Sequence, residues 1–124
     1  MEDEIKATGF IKHNNYELVE YDDKKVVLKV NLVEEGTNPY GMAHGGLIFG
    51  LGDTAMGMLF SKKEQNVVTV DANINFLRPG VGEYLICESE MVKDGKQIAL
   101  ARANIYNNDK KLVATMSANY YYIK

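Results

Sequence analysis

The sequence predicts an α+β chain: one antiparallel sheet of about five or six strands wrapped around a single long central helix. Three observations point there. Residues 43–61 are the only long stretch without strand-like alternation. Two strand-like runs precede it and four follow it. No second helix is predicted, so one helix must cover the apolar face of the whole sheet.

The elements follow in order. Residues 16–21 are a short strand candidate, and Asp22-Asp23 looks like a turn. From there Val26, Leu28, Val30 and Leu32 alternate with Lys25, Val27, Lys29 and Asn31, the period-two sign of a half-buried strand. Residues 34–42 hold Gly36, Asn38, Pro39 and Gly41 and read as a loop. After the helix, Val68, Val70, Ala72, Ile74 and Phe76 share one strand face, opposite Thr69, Asp71, Asn73 and Asn75. Arg78-Pro79-Gly80 ends that strand. Residues 83–92 and 97–106 flank a turn at Lys93-Asp94-Gly95-Lys96, where Asp-Gly favours a hairpin. A turn at Asn107-Asn108-Asp109 leads into the last strand, residues 111–123. The four strands after the helix are expected to run as an antiparallel meander.

Size and composition bound the function. A chain of 124 residues suits a single domain, 1–124, with one core that buries roughly two-thirds of the unfolded surface. Hydrophobic residues at 46% and charged residues at 25% argue against disorder and coiled coil. A net charge of −3 speaks against a broad nucleic-acid-binding face, though not against a local basic patch for a small anion. The single cysteine, Cys87, excludes an intrachain disulfide and fits a reduced, cytoplasmic setting. The opening MEDEIK is acidic, unlike a signal peptide, and no apolar run reaches the roughly 18 residues a membrane span needs.

The helix carries the functional signal. On a wheel at 100° per residue, Leu47, Ile48, Leu51, Ala55, Met58 and Leu59 fill one broad sector, and Phe49, Met56 and Phe60 form a second apolar row. A narrow strip between them holds Gly46, Gly50 and Gly57, with Asp53 at its edge. A helix apolar nearly all round is a buried helix. Asp53 is the only charged residue between 44 and 61, and its neighbours Phe49, Gly50, Met56 and Gly57 offer it no counter-charge. A carboxylate buried alone costs several kcal/mol or takes up a proton, which makes it a site candidate. Gly50, Gly52 and Gly57 each cost the helix about 1 kcal/mol relative to alanine, so something is expected to approach its backbone closely.

Plainer readings stand beside these. A lone helical Asp is often solvated, and helical glycines often serve helix packing. His44 by itself suits a structural hydrogen bond, and the helix methionines suit core filling. Gly50-Leu51-Gly52-Asp53-Thr54-Ala55 fits G-x-G-x-x-A, but a dinucleotide fingerprint opens a helix after a strand, and this one lies mid-helix. Two histidines and one cysteine give no zinc spacing, and Cys87 reads as a core thiol. One geometric point remains. If His44 and Asp53 are both helical, they point 180° apart and lie about 13.5 Å apart along the axis. If both serve one site, a second subunit's helix contributes.

The run Asn38-Pro39-Tyr40-Gly41-Met42-Ala43-His44-Gly45-Gly46, followed by Asp53, resembles the signature of hotdog-fold acyl-CoA thioesterases, most nearly the phenylacetate-pathway group with its N…G…HGG…D pattern. The resemblance continues through residues 68–79 and covers most of the chain from about Tyr16. It implies a thioester hydrolase with no cofactor and no metal. Asp53 would be the catalytic carboxylate, acting as general base or nucleophile. The Gly45 N–H at the helix start would bind the thioester oxygen. Asn38 would position the water or the carboxylate, His44 would hydrogen-bond near the carbonyl or hold the loop, and Thr69 would help place water. The partners implied are acyl-CoA and further copies of the chain, as side-by-side dimers often joined into tetramers, with sites at the dimer interface.

The chemistry agrees with that pattern. A helix N-terminus offers unpaired N–H groups to the oxyanion that forms on attack. Gly45 and Gly46 let substrate approach the backbone. CoA phosphates call for basic residues: Lys62, Lys63, Lys93 and Arg102 are available, and Arg78 is the chosen candidate. Phe49, Met56 and Phe60 could line an acyl pocket or a dimer core. The main alternative is a non-catalytic acyl-CoA-binding module, which would keep the pocket without needing Asp53. A hydratase would need a His–carboxylate pairing not found here, and a purely structural oligomer would not need the set Asn38, Gly45 and Asp53.

Overall fold

The computed structural model describes residues 9–22, 24–61 and 66–123. Within them a short helix, α1 (Gly9–His13), leads into strands β1 (Glu17–Tyr21) and β2 (Lys25–Asn31). A 3-10 turn (Glu34–Gly36) precedes the long helix α2 (Gly45–Met58). Four strands follow: β3 (Asn66–Phe76), β4 (Tyr84–Asp94), β5 (Ile98–Asn107) and β6 (Leu112–Ile123). Together the six strands make one antiparallel sheet in the order β1-β2-β4-β5-β6-β3, with α2 packed against it. The expected sheet around one helix is therefore present, and α1 is an addition to it.

One expectation about topology fails. Only β4, β5 and β6 form a meander, while β3 crosses to the far edge and pairs with β6. The reason lies in the connection after β3. Ala43 donates its N–H to Gly80 O at 2.8 Å, and Leu32 donates to Glu83 O at 2.9 Å, so residues 77–83 are tied to the approach to α2 instead of folding back on β3. Gly80 permits this: a Cβ there would come within 2.9 Å of the Ala43 side chain.

The expected faces of β3 also change. Thr69 pairs with Tyr120 and Asp71 with Asn119, so Val70 is an extra residue, a bulge. Up to the bulge Val67 packs toward the core, and after it Ala72 and Ile74 do. Val68 and Val70 are exposed, and Thr69 joins the helix-facing side. A smaller shift occurs at the next hairpin. A bulge between Met91 and Lys93 keeps Lys93 and Asp94 within β4, paired with Leu100 and Ala99, and moves the turn to residues 95–97.

The helix is shorter than the apolar stretch suggested. His44 caps its start, and Leu59, Phe60 and Ser61 continue as 3-10-type turns, donating to Met56 O, Gly57 O and Met58 O. Its broad apolar sector is buried as the wheel requires: Leu47, Ile48, Leu51, Ala55, Met58 and Leu59 all belong to the core. Full burial of a side chain such as Leu51 is worth about 1.5–3 kcal/mol. The small residues Ala99, Ala101, Ala103, Ala114 and Ala118 line the facing sheet and bring it near. At Gly52 the approach is closest: a Cβ would overlap the Met116 sulfur. Gly50 is covered by Phe10 and by the Tyr16 hydroxyl, which donates to Leu47 O at 2.9 Å. Gly57 faces open space. Of the three glycines in the helix interior, Gly52 thus serves the sheet, Gly50 the N-terminal aromatics, and Gly57 remains uncovered.

Candidate active site

The loop before α2 is built by Asn38. Its Oδ1 accepts the N–H groups of Tyr40 at 2.9 Å and Met42 at 3.1 Å, a local turn that only Asn or Asp makes so well. Its own N–H donates to Met42 O at 2.7 Å, and Gly41 supplies the left-handed backbone at φ +77°. A bridge between Thr37 and Ala43 closes the loop and sends the chain into α2.

At the helix start His44 is the N-cap, with extended backbone and Nδ1 accepting the Gly46 N–H at 2.8 Å. That acceptor lone pair requires the proton on Nε2. The next helical donors, Leu47 and Ile48, bond to His44 O. The Gly45 N–H takes no hydrogen bond among the described residues and carries the positive end of the helix dipole. The Phe76 ring flanks it, 3.5 Å from where a Gly45 Cβ would sit.

Asp53 lies eight residues further, about 12 Å along the axis. It is half-buried. The Thr69 hydroxyl donates to its Oδ1 at 3.2 Å, and the Tyr120 hydroxyl donates to the same oxygen at 2.8 Å. No ion pair reaches Asp53 among the described residues. It is therefore neither a freely solvated residue nor a buried charge without partners. Two hydroxyls from neighbouring strands hold one oxygen, and Oδ2 accepts nothing among the described residues.

Sequence reasoning missed Tyr120, which is almost fully buried, its ring 5.2 Å from that of Phe60. Burial, reinforced by the adjacent Asp53 carboxylate, holds its phenol far above the usual tyrosine range, so it stays protonated and acts as a donor. The available signal was weak: a tyrosine on the inward phase of the last strand, with its partner Thr69 hidden by the bulge.

The other candidates fall into place around these. Asn38, His44, Gly45 and Gly46 cluster at the helix N-terminus, and Asp53 and Thr69 form a second cluster a little over two turns away. Gly46 is exposed, and Phe49 is half-buried beside the open strip. Met56 and Phe60 are core residues, which leaves them little surface for a ligand. Arg78 is exposed on the connection after β3, and its backbone N–H donates to Val113 O. Arg102 pairs with Glu90 across β4 and β5, and Lys93 is exposed at the end of β4. Lys62 and Lys63 lie outside the described residues. Cys87 is fully buried, and burial, aided by the Glu88 charge, raises its thiol far above the reactive range.

Residues 40–114 match the family described as the thioesterase superfamily. The chain belongs to that superfamily. Acyl-coenzyme A thioesterase 13 of Mus musculus is 31% identical over 101 residues, covering 78% of this chain and 72% of the relative. The structure of the Escherichia coli PaaI protein from the phenylacetic acid degradation operon superposes with a TM-score of 0.87 at 25% identity, over 92% of this chain and 83% of that one. A Streptococcus mutans UA159 protein solved bound to acetyl CoA gives a TM-score of 0.86 at 27% identity, over 95% and 94%. The resemblance drawn from the HGG…D signature is thus correct, and the six-stranded sheet around one helix is the hotdog fold of these thioesterases. Among the described residues, no helix of this thioesterase-family chain is long and apolar enough to cross a membrane.

Proposed function

We propose that the chain hydrolyses an acyl-CoA thioester to the free carboxylic acid and CoA, at a site shared between two copies. The observation that carries this reading is Asp53: a half-buried carboxylate, held by a hydroxyl from β3 and flanked by no cation among the described residues, within a thioesterase fold. Asp53 takes a proton from water as the water oxygen attacks the thioester carbonyl. The Gly45 N–H receives the negative charge that develops on the carbonyl oxygen. Collapse of the intermediate breaks the C–S bond, and the proton Asp53 took from the water passes to the departing thiolate, which leaves as the CoA thiol and restores the carboxylate. Thr69 orients the carboxylate, Asn38 shapes the loop that aims the helix N-terminus, and His44 holds the first turn. Gly46 leaves room for the acyl-thioester, Phe49 borders the acyl group, and Arg78 is the candidate for the CoA phosphates.

The shared site follows from distance. About 12 Å of helix separates Gly45 from Asp53, too far for both to act on one carbonyl within one chain. The edge of β3 supports a second copy. It is an 11-residue edge strand, far longer than β1 at the other edge, and Val68, Val70 and Phe76 on it are exposed. Long apolar edges of this kind are covered in stable proteins. Pairing there brings the open strip of Gly46, Asp53 and Gly57 toward its counterpart.

Thiol release from a panel of straight-chain and aromatic acyl-CoAs tests the reading. Turnover that falls by about 10²–10⁴ in Asp53→Asn, with fold and oligomer intact, supports it. Acyl-CoA binding without turnover in the unaltered protein would establish the non-catalytic module instead.

A further inference from the structure

Several hydroxyl-bearing or ionisable groups of the core stand outside the machinery above, among them Ser89, Cys87, Tyr16 and Tyr120. Ser89 satisfies the carbonyls of Val26 and Ala55, a structural task within the core. Cys87 is sealed among apolar residues. Tyr120 alone touches the site.

We propose that Tyr120 is a positioning residue of the hydrolytic site, locking Asp53 in one rotamer so that Oδ2 is the oxygen that meets the attacking water. The inference rests on the role of Asp53 proposed above. Its geometry rests on the strand pairing. Thr69 and Tyr120 are direct cross-strand partners, so their side chains rise from the sheet side by side on the face toward α2. The Val70 bulge puts Thr69 on that face, and both hydroxyls end on Asp53 Oδ1, at 3.2 and 2.8 Å. The Tyr120 hydroxyl also lies 3.2 Å from the Asp53 backbone oxygen, which ties it to the helix at that residue as well as to the side chain. The phenol cannot drift, because its ring packs against Phe60 and is nearly completely buried.

Two donors on one oxygen have a chemical consequence. They pin the carboxylate plane, and they leave the other oxygen with its lone pairs free for a water O–H. A threonine alone, on a strand that is exposed for most of its length, would set that angle loosely. A buried phenol sets it firmly, because its position is fixed by core packing.

The test is kinetic. Tyr120→Phe keeps the ring and removes one hydroxyl. The expected result is a kcat lowered by about tenfold with KM changed less than about twofold, and an unfolding midpoint close to that of the unaltered protein. In an Asp53→Asn background the same substitution should add less than about twofold, because a residue acting through Asp53 has nothing left to position. An unchanged kcat in Tyr120→Phe overturns the inference. So does an equal loss in both backgrounds, which marks a structural role. Full turnover in Asp53→Asn alone would instead overturn the role of Asp53, and the inference with it.

Discussion

The imidazole of His44 accepts the Gly46 N–H at 2.8 Å, and that single bond decides which donor of the helix start remains for a ligand. With Gly46 satisfied and the Leu47 and Ile48 donors turned to His44 O, Gly45 carries the one N–H of these four that no group among the described residues engages. The cap is also worth stability. His44→Ala should lower the unfolding free energy by about 1 kcal/mol, as loss of an N-cap side chain does, measurable by urea denaturation. Turnover should fall as well, since the uncapped Gly46 N–H then competes with Gly45.

Gly45 can be tested without disturbing the helix. It is the first helical residue, the position where proline is best tolerated, and His44 before it has the extended backbone (φ −63°, ψ 139°) that proline demands. Gly45→Pro should therefore fold and associate normally. By removing the donor it should lower kcat by about 10²–10³. Gly45→Ala is the control: its Cβ meets Phe76 at an ordinary 3.5 Å and the N–H survives, so its loss of activity should be much smaller.

Thr69→Val removes the second hydroxyl on Asp53 Oδ1 with little change in shape. An exposed strand residue seldom contributes more than a few tenths of a kcal/mol, so stability should hold within about 0.5 kcal/mol. Activity should nonetheless fall several-fold or more in the thiol-release assay. Unchanged turnover would remove Thr69 from the site.

Gly52 and Gly57 should respond oppositely to alanine. At Gly52 a methyl group overlaps the Met116 sulfur, so Gly52→Ala should destabilise the fold by about 1–3 kcal/mol. At Gly57 nothing lies within 4 Å. An isolated chain would gain up to about 1 kcal/mol of helix propensity from Gly57→Ala. If the open strip meets a second copy, the same change should weaken self-association, which sedimentation velocity across a concentration series would show.

Water labelling should reveal how Asp53 acts. In H₂¹⁸O, a general base places the label in the acid product during the first turnover, whereas a nucleophilic carboxylate first delivers its own oxygen. With Oδ1 held by two hydroxyls, the expected outcome is label in the product of a single turnover, read by mass spectrometry.

Much of this architecture is written in local pattern. The period-two run in residues 26–32 and the segments flanking the Asp-Gly turn, 83–92 and 97–106, became strands, and the two-sided apolar stretch became the buried helix, because burial imposes such patterns wherever one face meets a core. Asp53 stood out for the same reason, as a charge where the period allows none. What stayed hidden was non-local. Pairing of β3 with β6 depends on Gly80 and Glu83 being tied to Ala43 and Leu32, contacts that no window of sequence contains. Tyr120 could not be found without knowing that Thr69 lies opposite it. The short helix around Phe10 left no mark because five residues carry no period. The two glycines that looked alike on the wheel, Gly50 and Gly57, differ only in what Phe10 and Tyr16 happen to cover.

Val70 acts on its strand as a frameshift acts on a message. One inserted residue inverts the meaning of every position before it, turning Val68 outward and Thr69 inward while Ala72 and Ile74 keep their places. The same residues in an unbroken pleat, with no bulge at Val70, would present Val68 and Val70 to the helix, a sound core with nothing to hold the carboxylate.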